Sequence, residues 1–106
     1  MTITRIFNFA IADEAAQDFC VSTFNGFKST CTKNGASYIV ATHASKVKVL
    51  KDTTGSVAAI TVFASITFNS EEDANYFAFE DPVNQGVKAK AEGSSAAYTV
   101  FQGTFS

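Results

Sequence analysis

Tryptophan is absent from this 106-residue chain, proline and histidine occur once each and cysteine twice, and each scarcity removes a class of explanation. One imidazole, two thiols and scattered carboxylates do not assemble a metal site by spacing. Cys20 and Cys31 fall on one expected helix, where a rise of ~1.5 Å per residue sets them roughly 16 Å apart, beyond the ~7 Å Cα limit for a disulfide. Both read as buried thiols. Basic residues are outnumbered, eight against ten acidic, so no positive field exists for phosphate backbones and no nucleic-acid partner is expected. The chain contains no glycine-rich phosphate loop, no serine nucleophile turn, and no apolar run near the ~18 residues of a membrane span. Its start, MTITRIFNFAIADEAAQ, meets charge and alternating polarity too soon for a secretory signal. A cytoplasmic protein without membrane contact and without a cofactor is the expectation.

Phenylalanine is what abounds. Eleven in so short a chain, within 46% hydrophobic residues, leave a surplus of apolar area to place, and the length suits one domain spanning 1–106. The organising stretch is Ser37 to Phe68, rich in Ile, Val, Thr, Tyr and Phe on both sides of Asp52-Thr53-Thr54-Gly55. Asp bonds its downstream backbone and Gly takes positive φ, so this reads as a long β-hairpin. An unbroken ladder with Lys51 opposite Ser56 places Ile39, Ala41, His43, Val47 and Val49 on one face with Phe68, Ile66, Ala64, Val62, Ile60 and Ala58. Tyr38, Val40, Thr42, Lys46, Phe63, Ser65 and Thr67 then share the other. The first face calls for helices; the second suits a cavity, a subunit interface or solvent.

Thr2 to Ala12 alternates as a strand, with Phe7, Phe9 and Ile11 on one side and Thr4, Ile6, Asn8 and Ala10 on the other. Asp13 is the N-cap of a helix with Asn34-Gly35 as its C-terminal stop. Its apolar arc holds Ala16, Phe19, Cys20, Thr23, Phe24, Phe27 and Cys31, opposite Glu14, Asp18, Asn25, Ser29 and Thr32. Gly26 in mid-helix marks a close approach or a bend. Ser70-Glu71-Glu72-Asp73 opens a second helix that breaks at Asp81-Pro82 and continues from Pro82 to a stop before Gly93. Ala96 to Phe105 alternates as the last strand, with Tyr98, Val100 and Gln102 on one face. The order β-α-β-β-α-β is the ferredoxin-like α+β arrangement, a four-stranded antiparallel sheet with both helices on one face. The uncovered face of so aromatic a chain calls for a second copy, making a homodimer the expected assembly.

With that order, and with Ser70-Glu71-Glu72 leading through Tyr76 to Asp81-Pro82-Val83-Asn84-Gln85, the chain resembles the dimeric α+β barrel superfamily, which includes antibiotic-biosynthesis-type monooxygenases and stress-responsive barrel proteins. A His-Pro-x-His pattern is frequent at the broken second helix of those proteins. Here Asp81 and Asn84 stand at the two imidazole positions, so acid-base or haem-ligand roles do not carry over.

Among residues that could bear chemistry, His43 is either a structural strand residue or a general base near neutrality. Asn8, an amide between Phe7 and Phe9, is either a satisfied sheet residue or a cavity group that orients a carbonyl or carboxylate. A bulge between His43 and Lys46 turns His43 to the mixed face. The ligand-binding set is Asn8, Phe24, Tyr38, His43, Phe63 and Tyr76, with aromatic rings for an apolar tail and the polar groups for a head. No metal site and no catalytic set follow. The leading expectation is a homodimer that binds a small hydrophobic ligand, fatty-acid-like or an aromatic metabolite, in a Phe-rich cavity. The alternative implied by the resemblance is a cofactor-independent monooxygenase acting on an aromatic or quinonoid substrate, and a third is a structural dimer with a filled core.

Overall fold

The computed structural model describes residues 2–55, 59–91 and 97–105. Alternation in the first residues produces strand β1 (Ile3–Ala10), which lies inside the sheet and pairs antiparallel on both sides, with β5 (Val62–Phe68) and with β6 (Ala97–Gly103). Strand β4 (Ile39–Lys46) flanks β5, giving the order β4-β5-β1-β6. Helix α1 (Glu14–Thr30) and the pair α2 (Glu71–Phe79) and α3 (Pro82–Ala91) complete the layer architecture. Phe24 and Phe27 of α1 and Ala74 and Phe77 of α2 share one buried cluster with Ala64, Ile66 and Phe68 of β5, and Val87 of α3 packs against it. All three helices therefore lie on the face that carries the even-numbered residues of β5. This is the ferredoxin-like α+β fold.

The helix starts follow the caps read from sequence. Asp13 accepts from the Ala16 N–H and Ser70 from the Asp73 N–H, each satisfying an orphan donor of the first turn. The end of α1 differs. Cys31 is its C-cap, with its N–H on the Phe27 carbonyl at 2.9 Å, and Asn34-Gly35 is instead the two-residue turn between the short strands β2 (Thr32–Lys33) and β3 (Ala36–Ser37). Both turn residues have positive φ, 55° and 79°, as a type I′ hairpin turn requires. An Asn-Gly pair serves a helix stop or a hairpin equally well, and the strand partners that decide between them lie outside the pair. Gly26 is not a close approach, since a Cβ added there meets nothing within 4 Å.

The long hairpin has its turn where expected. Asp52 Oδ1 accepts from the Thr54 and Gly55 N–H groups, and Gly55 has φ of 73°. The ladder is shorter than expected, ending with the Val47 N–H on the Thr61 carbonyl at 2.8 Å. Its register also departs from the sequence reading. Ile39 faces Phe68, but Ala41 faces Thr67 and His43 faces Ser65, because a bulge at Val40 inserts one extra residue. Every side chain of β4 after the bulge is turned over. Ala44 and Thr42 therefore look toward α1, while Ala41, His43 and Ser45 join the open face, and the placement of His43 and Ala41 on the apolar face is corrected. The Lys51–Ser56 pairing, Val57, Ala58, Gly93 and Ala96 lie outside the described residues.

Asn25, expected to face water, instead seals the free edge of β4. Its amide accepts from the Ala44 N–H at 2.9 Å and donates to the Ala44 carbonyl at 3.2 Å, so the helix occupies backbone groups that would otherwise template another strand. Lys46 at the same edge pairs with Asp18 at 2.6 Å and Glu14 at 3.7 Å.

Candidate functional site

Three aromatic residues on alternate positions build the floor of a cleft. Phe7 and Phe9 project from β1 toward the helices, and Tyr98 and Val100 stand beside them on β6, directly opposite in register. Their rings meet Phe24 of α1: Phe24 lies 5.1 Å from Phe7 and 5.5 Å from Phe9 between centroids, and Phe9 lies 5.6 Å from Tyr98. Helix α1 covers the β4 side of the sheet and leaves the β6 side open. Between α1, the α2–α3 break and this uncovered part of the sheet lies a cleft of about 780 Å³. Phe19, Cys20 and Thr23 of α1 form one wall, Phe77, Phe79, Val87, Lys88 and Lys90 of α2 and α3 the other, and Arg5 closes one end of the floor.

Polar groups on this lining are few and mostly engaged. Arg5 donates to the Gln102 side chain at 2.9 Å, the Ala74 carbonyl at 3.0 Å and Asn75 Oδ1 at 2.8 Å. Asn84, buried, donates to the Phe77 carbonyl at 2.9 Å, while Gln85 and Lys88 both donate to the Ala78 carbonyl. The side chains of α3 thus satisfy carbonyls that the end of α2 leaves unpaired. Burial pushes the Cys20 thiol from its ordinary 9.0 up to about 11, so it is a neutral, weakly nucleophilic group at physiological pH. Among the described residues the lining holds no imidazole and no carboxylate.

A second cluster lies behind the cleft wall. Asp81, fully buried, accepts from the Val83 N–H at 2.8 Å and the Asn84 N–H at 3.2 Å through Oδ1, and from the Tyr38 hydroxyl at 2.6 Å through Oδ2. It is the N-cap of α3, with Pro82 as the first helical residue, whose missing N–H costs nothing there. The same carboxylate joins the helix break to the start of β4. Burial, then the bond to Asp81, raises the Tyr38 pKa well above the usual phenol range. Burial first and the Asp81 charge second push Cys31 up to about 12. Tyr76 meets Tyr38 edge to face at 5.3 Å and takes Lys33 over its ring at 5.0 Å.

The six side chains singled out from sequence do not converge. Phe24 lines the cleft. Tyr38 and Tyr76 belong to the Asp81 cluster, and Asn8, His43 and Phe63 lie on the opposite face of the sheet, where Asn8 donates to Thr99 Oγ1 at 3.5 Å and His43 is exposed. Conversely, Arg5, Phe79, Val87, Lys88 and Lys90 escaped the sequence reading. The signal for Arg5 was present, since it shares alternation with Phe7 and Phe9 on β1. Nothing in the local pattern of α3 marks Lys88 and Lys90 as cleft residues. Among the described residues no group of three metal-binding side chains occurs, and no helix is long and apolar enough to cross a membrane.

No family model matches the chain, and no curated protein matches it. Solved structures do. A dimeric ferredoxin-like protein of unknown function from Jannaschia sp. CCS1 is 12% identical over 99% of this chain and 100% of its own, with a TM-score of 0.69. An ethyl tert-butyl ether d (EthD) family protein from Bacillus halodurans C-125 is 11% identical over 100% of both chains, with a TM-score of 0.61. A protein from Shewanella loihica PV-4, described as a candidate monooxygenase, is 13% identical over 99% of this chain and 94% of its own, with a TM-score of 0.56. At these identities the likeness concerns the fold.

Proposed function

We propose that this ferredoxin-like chain works as a homodimer in which each protomer binds one small hydrophobic molecule in the cleft between β1, β6 and the helices. The cleft carries the reading: about 780 Å³ of space walled by Phe7, Phe9, Phe19, Phe24, Phe77 and Phe79 falls within the ~300–1,000 Å³ of small-molecule sites. Dimerisation is supported by the other sheet face, where Ile6, Phe63 and Phe101 stand among Thr4, Ser65, Thr67 and Thr99 with no helix of the described residues over them, and by the dimeric state given for the Jannaschia protein. In such a dimer Asn8, His43 and Phe63 belong to the interface, and the ligand is held by the cleft.

The neutral fluorophore N-phenyl-1-naphthylamine tests the cleft directly. It is expected to brighten on binding and to be excluded by Val100→Trp, which fills the floor from an exposed strand position. Binding that survives this substitution places the probe elsewhere and removes the proposal. Native mass spectrometry reports the dimer mass and any co-purified molecule, and a monomer at micromolar concentration overturns the assembly. The second reading, oxygenation of an aromatic substrate in the same cleft, draws support from the likeness to the Shewanella loihica protein. The binding reading takes precedence because the described residues of the lining offer no imidazole or carboxylate to take a substrate proton.

A further inference from the structure

We infer that the cleft selects amphipathic anions, apolar carboxylates in particular, over neutral molecules of the same length. The inference rests on the proposal that the cleft is a binding site and adds the charge of its ligand. Of eight basic residues in the chain, three (Arg5, Lys88 and Lys90) stand on the lining, whereas none of the nine acidic residues that the structure describes does. A chain with a net charge of −2 therefore presents a cleft with the opposite sign.

The partners of these cations sharpen the point. Lys33 and Lys46, away from the cleft, are paired with Asp73, Asp18 and Glu14. Arg5, by contrast, donates among the described residues only to neutral acceptors, an amide side chain on β6, an amide on α2 and a main-chain carbonyl. Those three bonds leave two of the five guanidinium N–H groups without a partner among the described residues. Lys88 donates to the Ala78 carbonyl and lies 5.8 Å from the Phe79 ring centroid, and Lys90 forms no ion pair among the described residues. Positive charge next to aromatic walls of low polarity focuses its field into the cleft rather than into water. A carboxylate entering with its tail along Phe7, Phe9 and Phe24 gains charge-assisted hydrogen bonds that an alcohol of equal length cannot make.

Displacement of N-phenyl-1-naphthylamine by dodecanoate and by 1-dodecanol separates charge from apolar burial, because burial alone ranks the more hydrophobic alcohol first. The expected result is that dodecanoate displaces the probe at a concentration at least about tenfold lower than dodecanol, an advantage of ~1.4 kcal/mol. That advantage of dodecanoate over dodecanol should shrink with added salt and in the double variant Lys88→Gln, Lys90→Gln. Equal displacement by both compounds, or an advantage unmoved by salt and by the lysine changes, overturns the charge selection while leaving the cleft as a binding site. If the probe itself ignores Val100→Trp, the cleft and the inference fall together.

Discussion

Removing the Asp81 carboxylate tests whether the residue at the helix break is a structural fastener rather than a reactive acid. Asp81→Ala deletes an N-cap with two backbone donors, at 2.8 and 3.2 Å, a loss of about 1–2 kcal/mol. It also strands the Tyr38 hydroxyl, whose residue is only 8% exposed, at about 1–3 kcal/mol for an unsatisfied buried donor. The expected destabilisation is therefore about 2–5 kcal/mol. Asp81→Asn keeps a cap acceptor and loses only the charge-assisted bond, so it should cost less, about 1–2 kcal/mol. Tyr38→Phe keeps ring contacts with Phe68 at 6.3 Å and Tyr76 at 5.3 Å but leaves a buried carboxylate oxygen unpaired, at about 2–3 kcal/mol. Urea unfolding of the four proteins at one fixed concentration measures these differences and, with the double variant Asp81→Asn, Tyr38→Phe, the coupling between the two groups. A loss below about 1 kcal/mol for Asp81→Ala, or equal losses for Ala and Asn, would show that neither the cap nor the tyrosine bond holds the break together.

Phe27→Ala should cost about 3–5 kcal/mol because the side chain is fully enclosed, and Phe24→Ala distinctly less, because the space it vacates joins the existing cleft; denaturation midpoints that reverse this order refute the placement of the cleft. Gly26→Ala should raise stability by about 0.5–1 kcal/mol, since a Cβ there meets open space and the residue lies inside α1; a fall in the urea midpoint contradicts it. With the thiols of Cys20 and Cys31 raised from 9.0 to about 11 and about 12, the native chain holds protons that the unfolded chain releases above pH 9.0. Stability is therefore flat in pH below 9.0 on account of these groups and falls from there to about 12. Cys20→Ser should make that alkaline decline shallower in urea titrations, and both thiols should resist a disulfide reagent at neutral pH until denaturant is added.

Periodicity alone determined most of the element list. The alternation of Phe7, Phe9 and Ile11, the caps at Asp13 and Ser70, the break at Asp81-Pro82 and the turn at Asp52 are local events, encoded in residues a few positions apart. What the chain could not disclose locally were choices between near-equal alternatives. Asn34-Gly35 fits a helix stop and a type I′ turn alike, and only the pairing of β2 with β3 decides. The bulge at Val40 leaves no mark in a stretch of Tyr, Ile, Val, Ala and Thr, yet it turns over the remainder of β4 and moves His43 from the helix side to the open face. Asn8 and Phe63 sit on that same open face, so Asn8 and His43 ended up behind the sheet from the cleft, while Tyr38 and Tyr76 joined the Asp81 cluster. The cleft itself combines β1 and β6, joined through 86 intervening residues, with walls from three helices. Its cations come from opposite ends of the chain, Arg5 from the first strand and Lys88 and Lys90 from the last helix. Their convergence is a property of the sheet order and of the side left uncovered by α1, because the distance between two charges is set by packing and not by their separation in sequence.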